Sequence, residues 1–217
     1  MERRDMIRGL AAFGAIALMP ELSARENKIT SKLHFIGLGQ GGTNAANCLQ
    51  KKGIKGSYTC ITGNYVSHLS PTTNHIYFET PSDFKMNGVN YRKPIGLTQE
   101  MKNLLIQDDN YIILTGLGGT AGTGLISSVL EFLKDHQKKF IAICSLPFYN
   151  EGRTRNLYAL LKQSEIKEMA NVHCFDANYL LERNGQLTVR EAFARVEDLY
   201  YKLFLKYSDH FLGPDVN

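Results

Sequence analysis

Two glycine-rich turns hold the residues whose type and spacing could do chemistry. In residues 111–124, YIILTGLGGTAGTG, an apolar strand breaks into a turn where five of the residues from Gly116 to Gly124 are glycine, and a helical pattern follows at once. Unpaired amides at a helix N-terminus point outward along the positive end of the dipole, an arrangement that suits a phosphate. Residues 33–47, LHFIGLGQGGTNAAN, repeat it with a short apolar strand, a glycine cluster and a helix start. Either turn alone could also be a tight connection that binds nothing, because glycine is permissive.

Gly37, Gly39 and Gly42 satisfy the dinucleotide fingerprint G-x-G-x-x-G at the end of a first strand. That fingerprint also requires an acidic residue roughly 20 positions on, to hold the ribose 2′-hydroxyl. Here the tip of the second strand reads Thr62, Gly63, Asn64, without a carboxylate. An NAD-binding oxidoreductase is therefore a remote alternative. Two phosphate-type turns in one sheet predict instead a longer polyphosphate held from two sides.

Strands and helices must alternate to position these turns. Apolar runs predict strands over residues 32–37, 57–61, 76–78, 111–115, 140–146 and 172–176. Helical periodicity predicts helices over 43–51, 97–105, 122–138, 153–169 and 188–207. Such alternation implies an α/β fold, a mostly parallel sheet with helices on both faces, Rossmann-like in type. Ligands of such sheets bind beyond the carboxyl ends of the strands, where both turns lie. Residues 80–96, with Pro81, Gly88, Pro94 and Gly96, read as a loop over that crevice.

A length of 217 residues at 43% apolar composition can bury a full core. The net charge of +4 is mild, and no lysine-arginine run or interleaved aromatic stripe argues for nucleic acid. Cys48, Cys60, Cys144 and Cys174 lie far apart and form no C-x-x-C pair, the pattern of buried, reduced thiols.

The first 27 residues differ from the rest. Arg3-Arg4-Asp5-Met6-Ile7-Arg8 precedes the apolar run 9–19 and then Glu21-Leu22-Ser23-Ala24. Paired arginines before a short apolar stretch resemble a twin-arginine export signal, although Leu22 is not the small residue a cleavage site wants. The run is short for a bilayer span. An interfacial membrane anchor and an N-terminal helix docked on the domain are the other two readings.

Read together, GLGQGGTNAAN from Gly37, GLGGTAGTG from Gly116 and PFYNEGRTR from Pro147 resemble the tubulin and FtsZ superfamily of GTP-binding proteins. FtsZ carries a glycine-rich first loop ending in asparagine, a GGGTGTG loop and a P-F-x-x-E-G-x-x-R segment, in that order. The resemblance covers about residues 32 to 212. It implies a targeting-like or membrane-proximal segment at 1–27 and a GTP-binding domain over 28–217, similar to a truncated bacterial FtsZ without its second domain. The implied ligand is GTP or GDP, with or without Mg2+. The implied place is the cytoplasm or the inner face of the membrane, export being the alternative.

By position in those motifs, Gly39, Gln40, Gly41, Gly42 and Asn44 would face the diphosphate, and Gly118, Gly119, Thr120, Ala121, Gly122, Thr123 and Gly124 would cradle phosphates from the other side. This second loop departs from the family, for Thr120 replaces its third glycine and Ala121 its first threonine. Losing one phosphate hydrogen bond costs about 1.5 to 3 kcal/mol unless Thr120 replaces it. Glu151 and Arg155 match the pair that reaches the ribose and base, although a helix-start glutamate paired with an i+4 arginine is also an ordinary surface feature. Thr188-Val189-Arg190-Glu191 is a capping-box pattern at the start of the last helix. Phe193 aligns with an aromatic that packs on the base. Glu197 falls where FtsZ carries the aspartate or asparagine that binds guanine, and a carboxylate there can accept from both N1–H and the 2-amino group. Asn178, or its neighbour Ala177, corresponds to the family's asparagine loop.

In the family the last helix leads into an acidic loop that completes the GTPase site of the next subunit. No residue of the tail 211–217 matches it, and the one acid in that tail, Asp215, is not assigned a role. The resemblance therefore implies a GTP-binding protein that regulates or caps a filament, or acts in membrane remodelling. The alternative is a slow or self-assembling GTPase. Its partner would be a full-length FtsZ-like protein or a second copy of itself, with membrane contact through residues 1–27.

Overall fold

Continuous apolar runs become central strands because both of their faces are covered. The computed structural model describes residues 33–63, 72–79, 84–86, 89–91, 94–184 and 187–208. In chain order the elements are β1 (Leu33–Leu38), α1 (Gly39–Lys51), β2 (Ser57–Thr62), β3 (Thr73–Tyr77), β4 (Phe84–Met86), β5 (Val89–Tyr91), α2 (Gln99–Leu105), β6 (Asn110–Gly116), α3 (Thr120–Asp135), β7 (Lys139–Leu146), a 3-10 turn (Tyr149–Glu151), α4 (Arg153–Ile166), β8 (Val172–Asp176), α5 (Asn178–Asn184) and α6 (Val189–Ser208). Residues 1–32, Asn64 and the tail with Asp215 lie outside the described residues.

The main sheet runs β3-β2-β1-β6-β7-β8 and is parallel throughout. Successive side chains leave it on opposite faces, so each central strand feeds two cores. Ile36, Tyr111, Ile113, Phe140 and Ala142 meet α2, α3 and α4 on one side. Phe35, Ile112, Leu114, Ile141 and Ile143 meet α1 and α6 on the other. The expected α/β architecture is what the chain adopts. All four cysteines are free thiols, Cys60 and Cys144 buried and Cys48 and Cys174 half-buried.

Element ends moved where backbone packing overrode periodicity. Helix α1 begins inside the glycine cluster, four positions before the periodic pattern, because its first turn lies directly on β6. A methyl on Gly42 would overlap the carbonyl oxygen of Leu114. Residues 80–96, read as a loop, contain the antiparallel pair β4–β5. Helix α5 was not expected. It spans one short stretch of seven residues, begun where Asp176 Oδ1 accepts from the Asn178 amide at 2.9 Å. The capping box expected at α6 is present: Glu191 Oε2 accepts from the Thr188 amide at 2.8 Å, and Thr188 Oγ1 accepts from the Glu191 amide at 3.3 Å. Among the described residues no helix is long and apolar enough to cross a membrane.

At the amino end of β1, away from the glycine turns, the ring of buried His34 joins two partners. Its Nδ1–H donates to Asp108 Oδ2 at 2.7 Å, since a carboxylate only accepts, and Nε2 accepts from Thr59 Oγ1 at 2.9 Å. Burial pulls the imidazole below its ordinary range, against the pull of Asp108. The folded state therefore holds a neutral ring, while the unfolded chain takes up a proton near pH 6.5. Stability contributed by this depressed pKa is complete above about pH 6.5 and is lost as pH falls below it. Urea midpoints measured from pH 8 to pH 5 should fall below that point, and His34→Gln should flatten most of the slope. His75, also lowered by burial, leaves a residual of the same sign.

Candidate functional site

The carboxyl ends of β1, β2, β6, β7 and β8 open into one cavity of about 480 Å³. The two glycine turns form its floor, and they touch. Gly39 adopts φ +66°, a backbone that favours glycine, and a methyl on it would stand 2.9 Å from the Gly122 nitrogen. Across the seam, the Thr115 hydroxyl donates to the Leu38 carbonyl at 3.2 Å, joining the ends of β1 and β6. Helix α3 starts at Thr120 with Gly119 as a cap that offers no side chain. Its first amides are therefore left for a ligand at a positive helix end.

Twelve of the residues singled out from sequence line this cavity: Gly39, Gln40, Gly41, Asn44, Gly119, Thr120, Ala121, Gly122, Glu151, Arg155, Phe193 and Glu197. Five do not, and each has work behind the wall. Gly42 lets α1 lie on β6, Gly124 offers its carbonyl to the Ile95 amide at 2.9 Å, and Gly118 donates its amide to Thr123 Oγ1 at 2.7 Å. Thr123 Oγ1 thus accepts within the turn itself, and the residue is 5% exposed. Asn178 is 4% exposed. Its Oδ1 accepts from the Tyr149 amide at 2.7 Å and its Nδ2 donates to the Pro147 carbonyl at 3.1 Å, so it shapes the turn after β7. Its neighbour Ala177, the alternative match, reaches the wall.

Glu151 and Arg155 form a bracket at the start of α4. Glu151 Oε1 accepts from the Phe148 amide at 2.8 Å, and its Oε2 lies 3.0 Å from Arg155 Nη1. The same arginine packs over Gly118, tying the bracket to the glycine turn. Helix α6 supplies the facing wall through Phe193, Val196, Glu197 and Tyr200, residues spaced for one face of a helix. Phe193 meets Phe148 edge to face with centroids 5.4 Å apart, yet remains 42% exposed. Burial raises the Glu197 carboxyl above the usual range, with Lys51 pulling it down and Asp198 pushing it up.

Sequence reasoning missed Tyr200, Ser145, Thr62 and the backbone around Pro147. Tyr200 is 2% exposed, and its phenol donates to the Thr115 carbonyl. It accepts from the Ser145 amide at 3.1 Å and lies 3.0 Å from Ser145 Oγ. A tyrosine within a helical apolar stripe carries no signal of this task before the sheet is built. Among the described residues no group of three or more His, Cys, Asp or Glu is placed to hold a metal ion.

With this geometry in hand, the family model described as the Tubulin/FtsZ family, GTPase domain, matches residues 32–184. The cell division protein FtsZ of Aquifex aeolicus is 26% identical over 186 residues, covering 79% of this chain and 49% of that protein. The mitochondrial division protein fszB of Dictyostelium discoideum is 24% identical over 182 residues, 78% of this chain and 50% of that protein. The chain spans about half the length of the curated relatives it matches. Among solved structures, an empty FtsZ dimer from M. jannaschii superposes with TM-score 0.66 at 20% identity, covering 92% of this chain and 62% of that one. A GTPγS-bound CetZ2 protofilament from Haloferax volcanii gives 0.65 at 18% identity, with 85% and 60% covered. Both likenesses are of fold.

The buried Gly118 amide makes Thr123→Val a direct probe of the turn. The change keeps the shape and removes the acceptor, which should cost roughly 1 to 3 kcal/mol. A lowered denaturation midpoint with an unchanged denaturant dependence would report that loss.

Proposed function

The chain belongs to the tubulin/FtsZ family, and from that premise we propose that it binds guanine nucleotide in the cavity between the two glycine turns and α6. The observation that carries this reading is the direct contact of the turns, Gly39 against Gly122, at the foot of a cavity whose far wall offers a carboxylate and an aromatic ring. The turns hold the phosphates through backbone amides, Glu151 and Arg155 bracket the ribose, Phe193 packs on the base, and Glu197 reads it. An ionised carboxylate accepts from guanine N1–H and the 2-amino group, a pair of donors adenine lacks. With Thr123 buried behind the wall, Thr120 supplies the turn's hydroxyl to the phosphates. GTP or GDP is the ligand; Mg2+ would come with the phosphates, since the described wall offers no ready-made metal cluster.

The proposed role is regulation or capping of a filament built from FtsZ-like subunits, with membrane remodelling as one setting. Its support is the chemistry of the described wall. The acids there are Glu151, engaged with Arg155 and the Phe148 amide, and Glu197, assigned to the base. Neither is free to activate water beside the phosphates, so hydrolysis would need a partner's acid. A slow or self-assembling GTPase is the second reading, favoured by the close contact of the two glycine turns.

Titration with GTP, GDP, ATP and NADH tests the ligand: guanine nucleotides should bind at least tenfold more tightly than the others, and equal binding of ATP removes the role of Glu197. Glu197→Gln should reduce the guanine preference about tenfold or more, the loss of one charged hydrogen bond. Because the ionised form does the reading and burial raises its pKa, guanine affinity should fall with acid at a higher pH than an ordinary glutamate would cause. Phosphate release should be negligible alone and rise when a full-length FtsZ-like protein is added; turnover that grows with the protein's own concentration would instead establish the second reading.

A further inference from the structure

Helix α6 is anchored unevenly. Toward its carboxyl end Phe204 is 2% exposed and meets Phe35 edge to face, with ring centroids 5.3 Å apart. Toward its amino end, where Phe193 and Glu197 face the cavity, the buried residues are the small Ala192 and Val196, and Val189 is 70% exposed. The capping box of Thr188 and Glu191 joins this end to itself and not to the sheet. Lys52 of α1 reaches Asp198 at 2.8 Å, but both side chains are partly exposed, and such pairs hold weakly. Between the two halves stands Tyr200. Its buried phenol donates to the Thr115 carbonyl, accepts from the Ser145 amide at 3.1 Å and lies 3.0 Å from Ser145 Oγ. Thr115 is also the residue whose hydroxyl joins the ends of β1 and β6, so α6 is tied to the strand ends that carry the glycine turns.

We propose that Tyr200 is a positioning residue for guanine: its phenol sets the rotation of α6 at which Glu197 meets the base, and it takes no part in holding the phosphates. This rests on the guanine-nucleotide reading above. Glu197 stands three residues and Phe193 seven residues before Tyr200, on one face of the helix. A helix with its side chains is about 5 to 6 Å in radius, so a rotation of about 20° swings a carboxylate at its rim by roughly 2 Å. That displacement breaks a hydrogen bond, whose donor and acceptor must stay within about 2.7 to 3.2 Å. The amides offered to the phosphates belong to α1 and α3, which do not turn with α6. Loss of the phenol therefore costs base recognition and spares phosphate affinity.

Titration of the full chain with GTP, ATP and inorganic tripolyphosphate provides the test. Tyr200→Phe should lower the ratio of GTP to ATP affinity about fivefold or more and leave tripolyphosphate affinity within about twofold. In a Glu197→Gln background the same change should move the ratio by less than about twofold, because the phenol acts through that carboxylate. Tyr200 also reaches the cavity wall, and a ring that touched the base directly, or one that only stabilised the fold, would show its effect in both backgrounds. Phe204→Leu, a loss of packing farther along α6, should lower the denaturation midpoint and leave the ratio unchanged. If Tyr200→Phe does not fold, Ser145→Ala removes one of the phenol's partners and should lower the ratio about twofold, again only where Glu197 is present. An unchanged ratio in whichever of these two variants is read overturns the proposal, as do equal effects in both backgrounds and tripolyphosphate affinity that falls as far as GTP affinity. A ratio lowered equally by Phe204→Leu overturns it too. Guanine preference that the variants leave untouched removes this inference alone, whereas no guanine preference in the unaltered chain removes the ligand reading and this inference with it.

Discussion

The first turn of α1 lies on the bare backbone of β6, and the cavity exists because of that contact. Gly37 and Gly42 approach so closely that a methyl on Gly37 would stand 2.7 Å from the Gly42 carbonyl oxygen, while one on Gly42 would overlap Leu114. With no side chains between them, the ends of β1 and β6 sit side by side, and the turns that follow meet edge to edge at Gly39 and Gly122. Any larger residue would lift α1 off the sheet and part the two turns. Two helix starts would then point at separate patches of solvent, and one polyphosphate could not touch both.

The opposite wall depends on a different kind of bond. Tyr200 carries its phenol through the apolar layer to the Thr115 carbonyl and the Ser145 amide, groups at the carboxyl ends of β6 and β7. Burial raises this phenol far above its ordinary range, so it stays protonated and can donate. One turn and two turns back along α6 stand Glu197 and Phe193, and their height over the glycine turns follows from where Tyr200 is tied. The half-buried carboxylate of Glu197 shares the same surroundings. What desolvates it also strengthens any hydrogen bond it accepts.

Polar side chains at helix contacts divide the labour between holding the fold and facing the cavity. Thr123 and Thr120 sit on the same turn, yet one hydroxyl closes the turn on Gly118 while the other lines the cavity. Asn178 and Ala177 make a similar pair, the polar residue bracing Pro147 and Tyr149 from behind and the small one forming wall. Lys162 does for α4 what Tyr200 does for α6, setting a rotation with a buried polar head and leaving Leu157, Leu160 and Leu161 outside.

By itself the sequence determined the parallel α/β sheet, both glycine turns and most of the cavity floor, because these follow from local patterns: continuous apolar runs, period-3.6 apolar spacing, and clusters of residues without Cβ. Glu151, Arg155, Phe193 and Glu197 were legible through motif order, a property of the chain alone. The tertiary structure decided the rest. Whether a hydroxyl on the second turn faces in or out, why Gly42 and Gly124 serve packing while Gly39 and Gly122 form the seam, and which atoms Tyr200 reaches all depend on residues distant in the chain. Tyr200 and Thr115 are 85 positions apart. The α5 turn and the β4–β5 pair were too short to show a period at all.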